Sequence, residues 1–96
     1  MFVITGPLKN RKIVKKVLPK YPVWAQERGI EASVVLEFTV DAEGFVKDSI
    51  VVRRTSGYPR LDRSAQKALR KWQFAPLALD QNREEIGMIT LTYSLS

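Results

Sequence analysis

The 96-residue sequence contains no cysteine and no histidine. That removes disulfides, thiolate nucleophiles, imidazole acid–base chemistry and the usual zinc ligand sets together. Long apolar runs are missing as well. Nothing approaches the roughly 20 residues that a membrane-spanning helix requires, and no signal-peptide core opens the chain. There is no G-x-x-x-x-G-K or G-x-G-x-x-G loop to cradle a phosphate. An enzyme built from this sequence would have to work with Ser, Lys, Tyr or carboxylates alone. A cysteine-free chain is compatible with an oxidising compartment without requiring one.

Acid is also missing from one end. Residues 1–26 carry Lys9, Arg11, Lys12, Lys15, Lys16 and Lys20, and Glu27 is the first carboxylate. The net charge of +6 therefore sits in the N-terminal quarter, since basic and acidic residues balance in the remainder. Such a segment suits an acidic protein surface, anionic lipid or nucleic acid, or it is a solvated face or tether. Dedicated nucleic-acid recognition normally interleaves basic and aromatic residues, and no aromatic falls between Lys9 and Lys20. No specific nucleic-acid partner is expected.

The chain divides into residues 1–18, a basic segment readable as a short strand or a tether, and a domain over residues 19–96. Pro22 is placed to open a short helix that Gly29 ends. From Ser33 to Asp41 the pattern alternates, with Val34, Leu36, Phe38 and Val40 on one face, as in a half-buried strand. Asp41–Gly44 reads as a turn and Phe45–Arg54 as the return strand, with a bulge where Ile50, Val51 and Val52 run together. Leu61, Ala65, Ala68, Leu69 and Trp72 then form one apolar helical stripe, which Pro76 closes. Ile86–Leu95 alternates again, with Ile89, Leu91, Tyr93 and Leu95 opposite Met88, Thr90, Thr92 and Ser94. The order is α-β-β-α-β. It predicts an α+β two-layer sandwich, with two helices packed on one face of a small antiparallel sheet.

Chemical motifs are thin. Ser64-Ala65-Gln66-Lys67 matches S-x-x-K, but its companion elements are absent and both polar residues flank an amphipathic stripe. Asp41, Glu43 and Gly44 lack the spacing of a calcium loop and belong to a hairpin. Glu84-Glu85 are neighbours in a polar loop and are not expected to act as an acid–base pair. We expect no catalytic residue, metal or cofactor.

The last strand is the informative element. Its ten residues would span about 33 Å. As the final element beside a hairpin it is expected at a sheet edge, yet Ile86–Ser96 holds neither charge nor proline. Natural edges are usually guarded by one or the other. This edge is therefore either kept for a partner strand or covered, by Val3-Ile4 of the same chain or by a second copy.

The residues that punctuate these elements resemble the C-terminal domain of the TonB family of energy transducers. The similarity runs through Lys20-Tyr21-Pro22, Gly29-Ile30-Glu31, Thr55-Ser56-Gly57, Leu61-Asp62 and Trp72-x-Phe74-x-Pro76, in order, and covers about residues 19–95. Ala32 stands where the family often has glycine, and Asp80–Glu85 replaces its usual Asp-Gly-x-Pro stretch.

The resemblance implies a non-enzymatic periplasmic domain that grips the TonB box of outer-membrane receptors and transmits force. The box would add as a strand beside the last strand, along Met88, Ile89, Thr90, Leu91, Thr92, Tyr93 and Ser94, with Lys20, Tyr21 and Pro22 close by. The membrane helix and Pro-rich spacer by which full transducers reach an ExbB–ExbD motor are not in these 96 residues. Contact with the motor is expected only through such a segment, and homodimerisation by strand exchange stays open. A TolA-like envelope-integrity domain shares the architecture, and a basic domain docking on nucleic acid or anionic lipid through residues 9–20 is the reading from another class.

Overall fold

The structure, a computed structural model, describes residues 1–95. Its elements are β1 (Phe2–Thr5), a 3-10 turn (Pro7–Asn10), β2 (Ile13–Lys15), α1 (Val23–Glu27), β3 (Ala32–Val40), β4 (Val51–Arg54), α2 (Pro59–Leu69), β5 (Gln73–Phe74) and β6 (Glu85–Tyr93). The main sheet is antiparallel in the order β1-β6-β3-β4, and β2 pairs with β5 in a separate ribbon. The architecture is α+β, two helices against a small antiparallel sheet.

The alternation in β3 and β6 has its expected consequence. Val34, Leu36, Phe38, Val40, Ile89 and Leu91 point to one side and are buried with Ala65, Leu69, Trp72 and Phe74. Tyr93 is also buried, in a smaller cluster with Ala25 and Leu61, against which Tyr21, Trp24 and Ile30 pack. Leu95 falls outside the strand and is exposed, because β6 ends at Tyr93. Trp72 lies beyond the end of α2 yet remains in the core, its indole N–H donating to the Val17 carbonyl at 2.7 Å.

The return strand is shorter than the β-branched run suggests. Only Val51–Arg54 ladders with β3, after a register shift opposite Val35 and Leu36, and Val46 makes an isolated bridge to Val40. The intervening residues bend so that Ile50 enters the core while Phe45 stays exposed. Gly44 closes the turn with φ 100°, its carbonyl accepting from the Phe74 N–H at 2.7 Å. A Cβ at Gly44 would stand 1.9 Å from the Phe74 carbonyl oxygen, so this crossing admits no side chain.

Residues 1–18 are interwoven with the rest. Leu8 is fully buried against β6, in the space left by Gly87, where a Cβ would come within 2.8 Å of the Leu8 Cδ1. Arg11 is a buried cross-brace: Nε donates to the Ala75 carbonyl and Nη2 to the Asp41 carbonyl, each at 2.9 Å, and Nη1 pairs with Glu85 at 3.2 Å. The largest correction concerns β6, which is not an edge. β1 lies on its outer side in the register Phe2↔Leu91, Val3↔Thr90, Ile4↔Ile89 and Thr5↔Met88. A strand with no proline and no charge after Glu85 is guarded by being covered.

Candidate partner-binding site

At the C-terminal end of β6 the cover stops. The last contact from the N-terminal strand is the Met1 carbonyl, which accepts from the Thr92 N–H at 3.0 Å. Beyond it a groove opens between Met1, Leu18, Pro19 and Tyr21 on one wall and Leu91–Ser94 on the other. Both prolines of the 19–22 segment hold it extended, because each biases the residue before it away from helix. Pro22 then caps α1 with an extended backbone, φ −63° and ψ 145°.

Two tyrosines fix the floor. Their rings meet edge to face with centroids 5.5 Å apart. The Tyr93 hydroxyl donates to the Leu61 carbonyl at 3.0 Å, and the Tyr21 hydroxyl donates to the Ile30 carbonyl. Burial pushes both phenols above the ordinary tyrosine range, with Glu31 adding at Tyr21 and Asp62 at Tyr93. Both rings therefore stay neutral donors at physiological pH. The Tyr-Pro element is thus a strut joining the N-terminal segment, α1 and the end of β6.

The Ser-Gly…Leu-Asp element is architectural too. Asp62 accepts at Oδ1 from the Ser56 N–H (2.9 Å) and hydroxyl (2.6 Å), and at Oδ2 from the Thr55 hydroxyl. Burial alone would raise its pKa, but these hydrogen bonds and Arg63 outweigh it and hold the carboxyl below its usual value. The turn before α2 is locked around that charge.

Of the residues singled out from sequence, Tyr21, Leu91, Thr92, Tyr93 and Ser94 share the groove. Ile89 and Leu91 face the core, so only their backbone lies along the strand edge, and β1 occupies that edge from Met88 to Leu91. Met88 and the partly exposed Thr90 are on the solvent face of the sheet. Lys20 turns away to a second groove beside Lys67 and Lys71, while its carbonyl accepts from the Ser64 hydroxyl at 3.2 Å. Met1, Leu18 and Pro19 were not anticipated; only the Val3-Ile4 pair hinted that the N-terminus would reach β6.

The geometry defines a small α+β domain with a groove at the end of its central strand β6. Among the described residues no group of acidic side chains could hold a metal ion, and no helix is long and apolar enough to cross a membrane. The chain matches the family model for the Gram-negative bacterial TonB protein C-terminal over residues 17–95, and it belongs to that family. Protein TonB of Vibrio cholerae serotype O1 is 41% identical over 73 residues, 75% of this chain and 29% of the relative. Protein tonB2 of Pseudomonas aeruginosa is 34% identical over 79 residues, 82% of this chain and 29% of the relative. The chain thus spans less than a third of the length of these curated relatives. Among solved structures, the Pseudomonas aeruginosa TonB CTD superposes with a TM-score of 0.77 at 25% identity, covering 97% of this chain and 95% of the other. The tonb2 protein of Vibrio anguillarum gives 0.67 at 31% identity, covering 96% and 88%. Members of this family are non-enzymatic energy transducers whose C-terminal domain lies in the periplasm.

Proposed function

We propose that this domain binds the TonB box of an outer-membrane receptor by strand addition on β6, with β1 giving up its place. The domain would so couple inner-membrane energy, delivered from an ExbB–ExbD motor through a membrane segment outside these residues, to active uptake. The observation that carries the reading is the slightness of what covers β6. β1 is four residues long, is the outermost strand of its sheet, and among the described residues pairs with β6 alone, whereas β6 and β3 are laddered over nine pairs. A partner strand entering at the Tyr21–Tyr93 groove would recover the bonds lost with β1 and extend them past Thr92. Affinity would come from the backbone, and choice of partner from side chains meeting Tyr21, Met88, Thr90 and Thr92.

The test is an amide NMR titration of the ¹⁵N-labelled 96-residue chain with TonB-box peptides. Shifts along Met88–Ser94 and at Tyr21, with exchange protection lost from Phe2–Thr5, are expected. Unmoved β6 amides with β1 still protected would refute it. A second copy can supply the same strand, so exchange of β1 between two chains would give a homodimer. Size-exclusion chromatography over a concentration series detects that exchange.

A further inference from the structure

A further concave surface lies beside Trp24, which packs on the Tyr93–Leu61–Ala25 cluster. It is a cleft of about 250 Å³ between α1 and the start of α2, lined by Trp24, Arg28, Tyr58, Pro59 and Arg60. The Trp24 and Tyr58 rings stand 6.2 Å apart at 53°, and the Arg60 guanidinium rests over the indole, 5.4 Å from its centroid. No acid lines this cleft, and neither Arg28 nor Arg60 has a carboxylate within ion-pairing distance among the described residues. A guanidinium stacked on an indole keeps its edge N–H groups free, in a fixed plane suited to a bidentate carboxylate. The Asp62-centred turn holds the Tyr58 wall in place.

We propose that this cleft is a second contact for the same partner, receiving an acidic residue upstream of the segment that adds to β6. The polarity of β1 sets the direction. A strand that replaces β1 antiparallel to β6 begins at the Thr92 end, where Met1 now sits, and its preceding residues emerge beside Tyr21 and Tyr93. Trp24 packs against that same cluster from the cleft side. About six upstream residues reach roughly 20 Å. The carboxylate would pair with Arg28 and Arg60 while its aliphatic stem lies between Trp24 and Tyr58. This inference deepens the groove reading by naming the chemistry that flanks the added strand.

The experiment titrates the full chain with three probes: a TonB-box peptide, the same peptide preceded by a six-residue extension bearing two Glu, and the Glu extension alone. A fourth peptide carries Gln in place of Glu. The expected result is about tenfold tighter binding for Glu than for Gln, the worth of one charge-assisted pair. Shifts of the Trp24 indole N–H and the Tyr58 amide should accompany it, and the gain should vanish in the R28Q/R60Q variant. If Glu and Gln extensions bind alike, or no Glu peptide shifts Trp24 and Tyr58, the cleft proposal is overturned, whatever happens on β6. If the Glu extension alone shifts Trp24 and Tyr58 while no probe moves β6, the groove reading falls and the cleft stands as an acidic-peptide site. Diffuse shifts over Lys9–Lys20, without Trp24, would mark unspecific charge attraction and also overturn it.

Discussion

If a partner strand must take β1's place, weakening β1 should tighten binding, and Phe2→Ala is the direct perturbation. Phe2 is mostly buried, so its loss removes about two thirds of the 1.5–3 kcal/mol that a fully buried phenylalanine contributes. It also packs edge to face on Trp72 with centroids 5.0 Å apart, worth about 0.5–1.5 kcal/mol more. Together about 2 kcal/mol favours the docked strand, a factor of about 30 in the docking equilibrium. While β1 remains mostly docked, the apparent affinity for a displacing peptide is scaled by the undocked fraction, so it should rise up to about 30-fold. Titration calorimetry with one TonB-box peptide on both proteins reads this directly. Hydrogen exchange supplies the control. The Thr92 N–H faces β1, and strand alternation puts those of Thr90 and Met88 on the same edge. All three should exchange faster in the variant. Faster exchange with unchanged or weaker peptide binding would refute displacement, because the gate would have been loosened without effect.

Other expectations concern what positions the groove. Asp62→Ala strands the Ser56 and Thr55 donors and should cost about 2–3 kcal/mol in urea unfolding. Because the folded Asp62 carboxyl sits below its ordinary 3.8, its contribution is complete above about pH 4 and is lost as pH falls through the folded value. An acid titration of stability should flatten at low pH in Asp62→Ala relative to the parent. Gly44→Ala should cost more than Gly87→Ala, since the first drives a Cβ into the Phe74 backbone at a positive φ and the second crowds only the Leu8 side chain. Differential scanning calorimetry ranks the two. Trp72→Phe removes the bond to the Val17 carbonyl, so it should cost about 1 kcal/mol. It should also raise exchange rates across residues 17–21.

Periodicity made the core strands legible. In β3 and β6 each buried residue is two from the next, and the helical stripe of α2 is as plain in the sequence as in the packing. Where the pattern was only local it misled. Phe45–Arg54 has β propensity throughout, but pairing depends on what lies across the sheet, and the bend at Ile50 answers to the core rather than to propensity. The N-terminal segment was obscure for a related reason. The contacts that tie it to the core are distant in sequence: Leu8 under Gly87, Arg11 reaching Ala75, Asp41 and Glu85, Val17 on Trp72. No window along the chain displays them. The candidate site was half legible, because β6 showed that its edge needed something but not what filled it.

That half-legibility has a physical origin in the sheet itself. An edge without charge or proline pairs with any strand that presents itself, so its safety rests wholly on its cover. A long, well-packed cover would be permanent, and a charged one would repel. β1 is a compromise between these: Phe2 and Ile4 anchor it on the core side, while Met1, Val3 and Thr5 are exposed and contribute little burial. Its hold is a few kcal/mol by the burial of two partly buried side chains and four residue pairs. A partner strand of seven or more residues, running on past Thr92 into the Tyr21–Tyr93 groove, has more pairs to offer than β1 and can displace it. A segment of four residues or fewer has no such margin. Affinity should therefore rise steeply with peptide length between four and seven residues and then level off. A flat dependence on length would mean that the groove, and not the β6 edge, carries the binding.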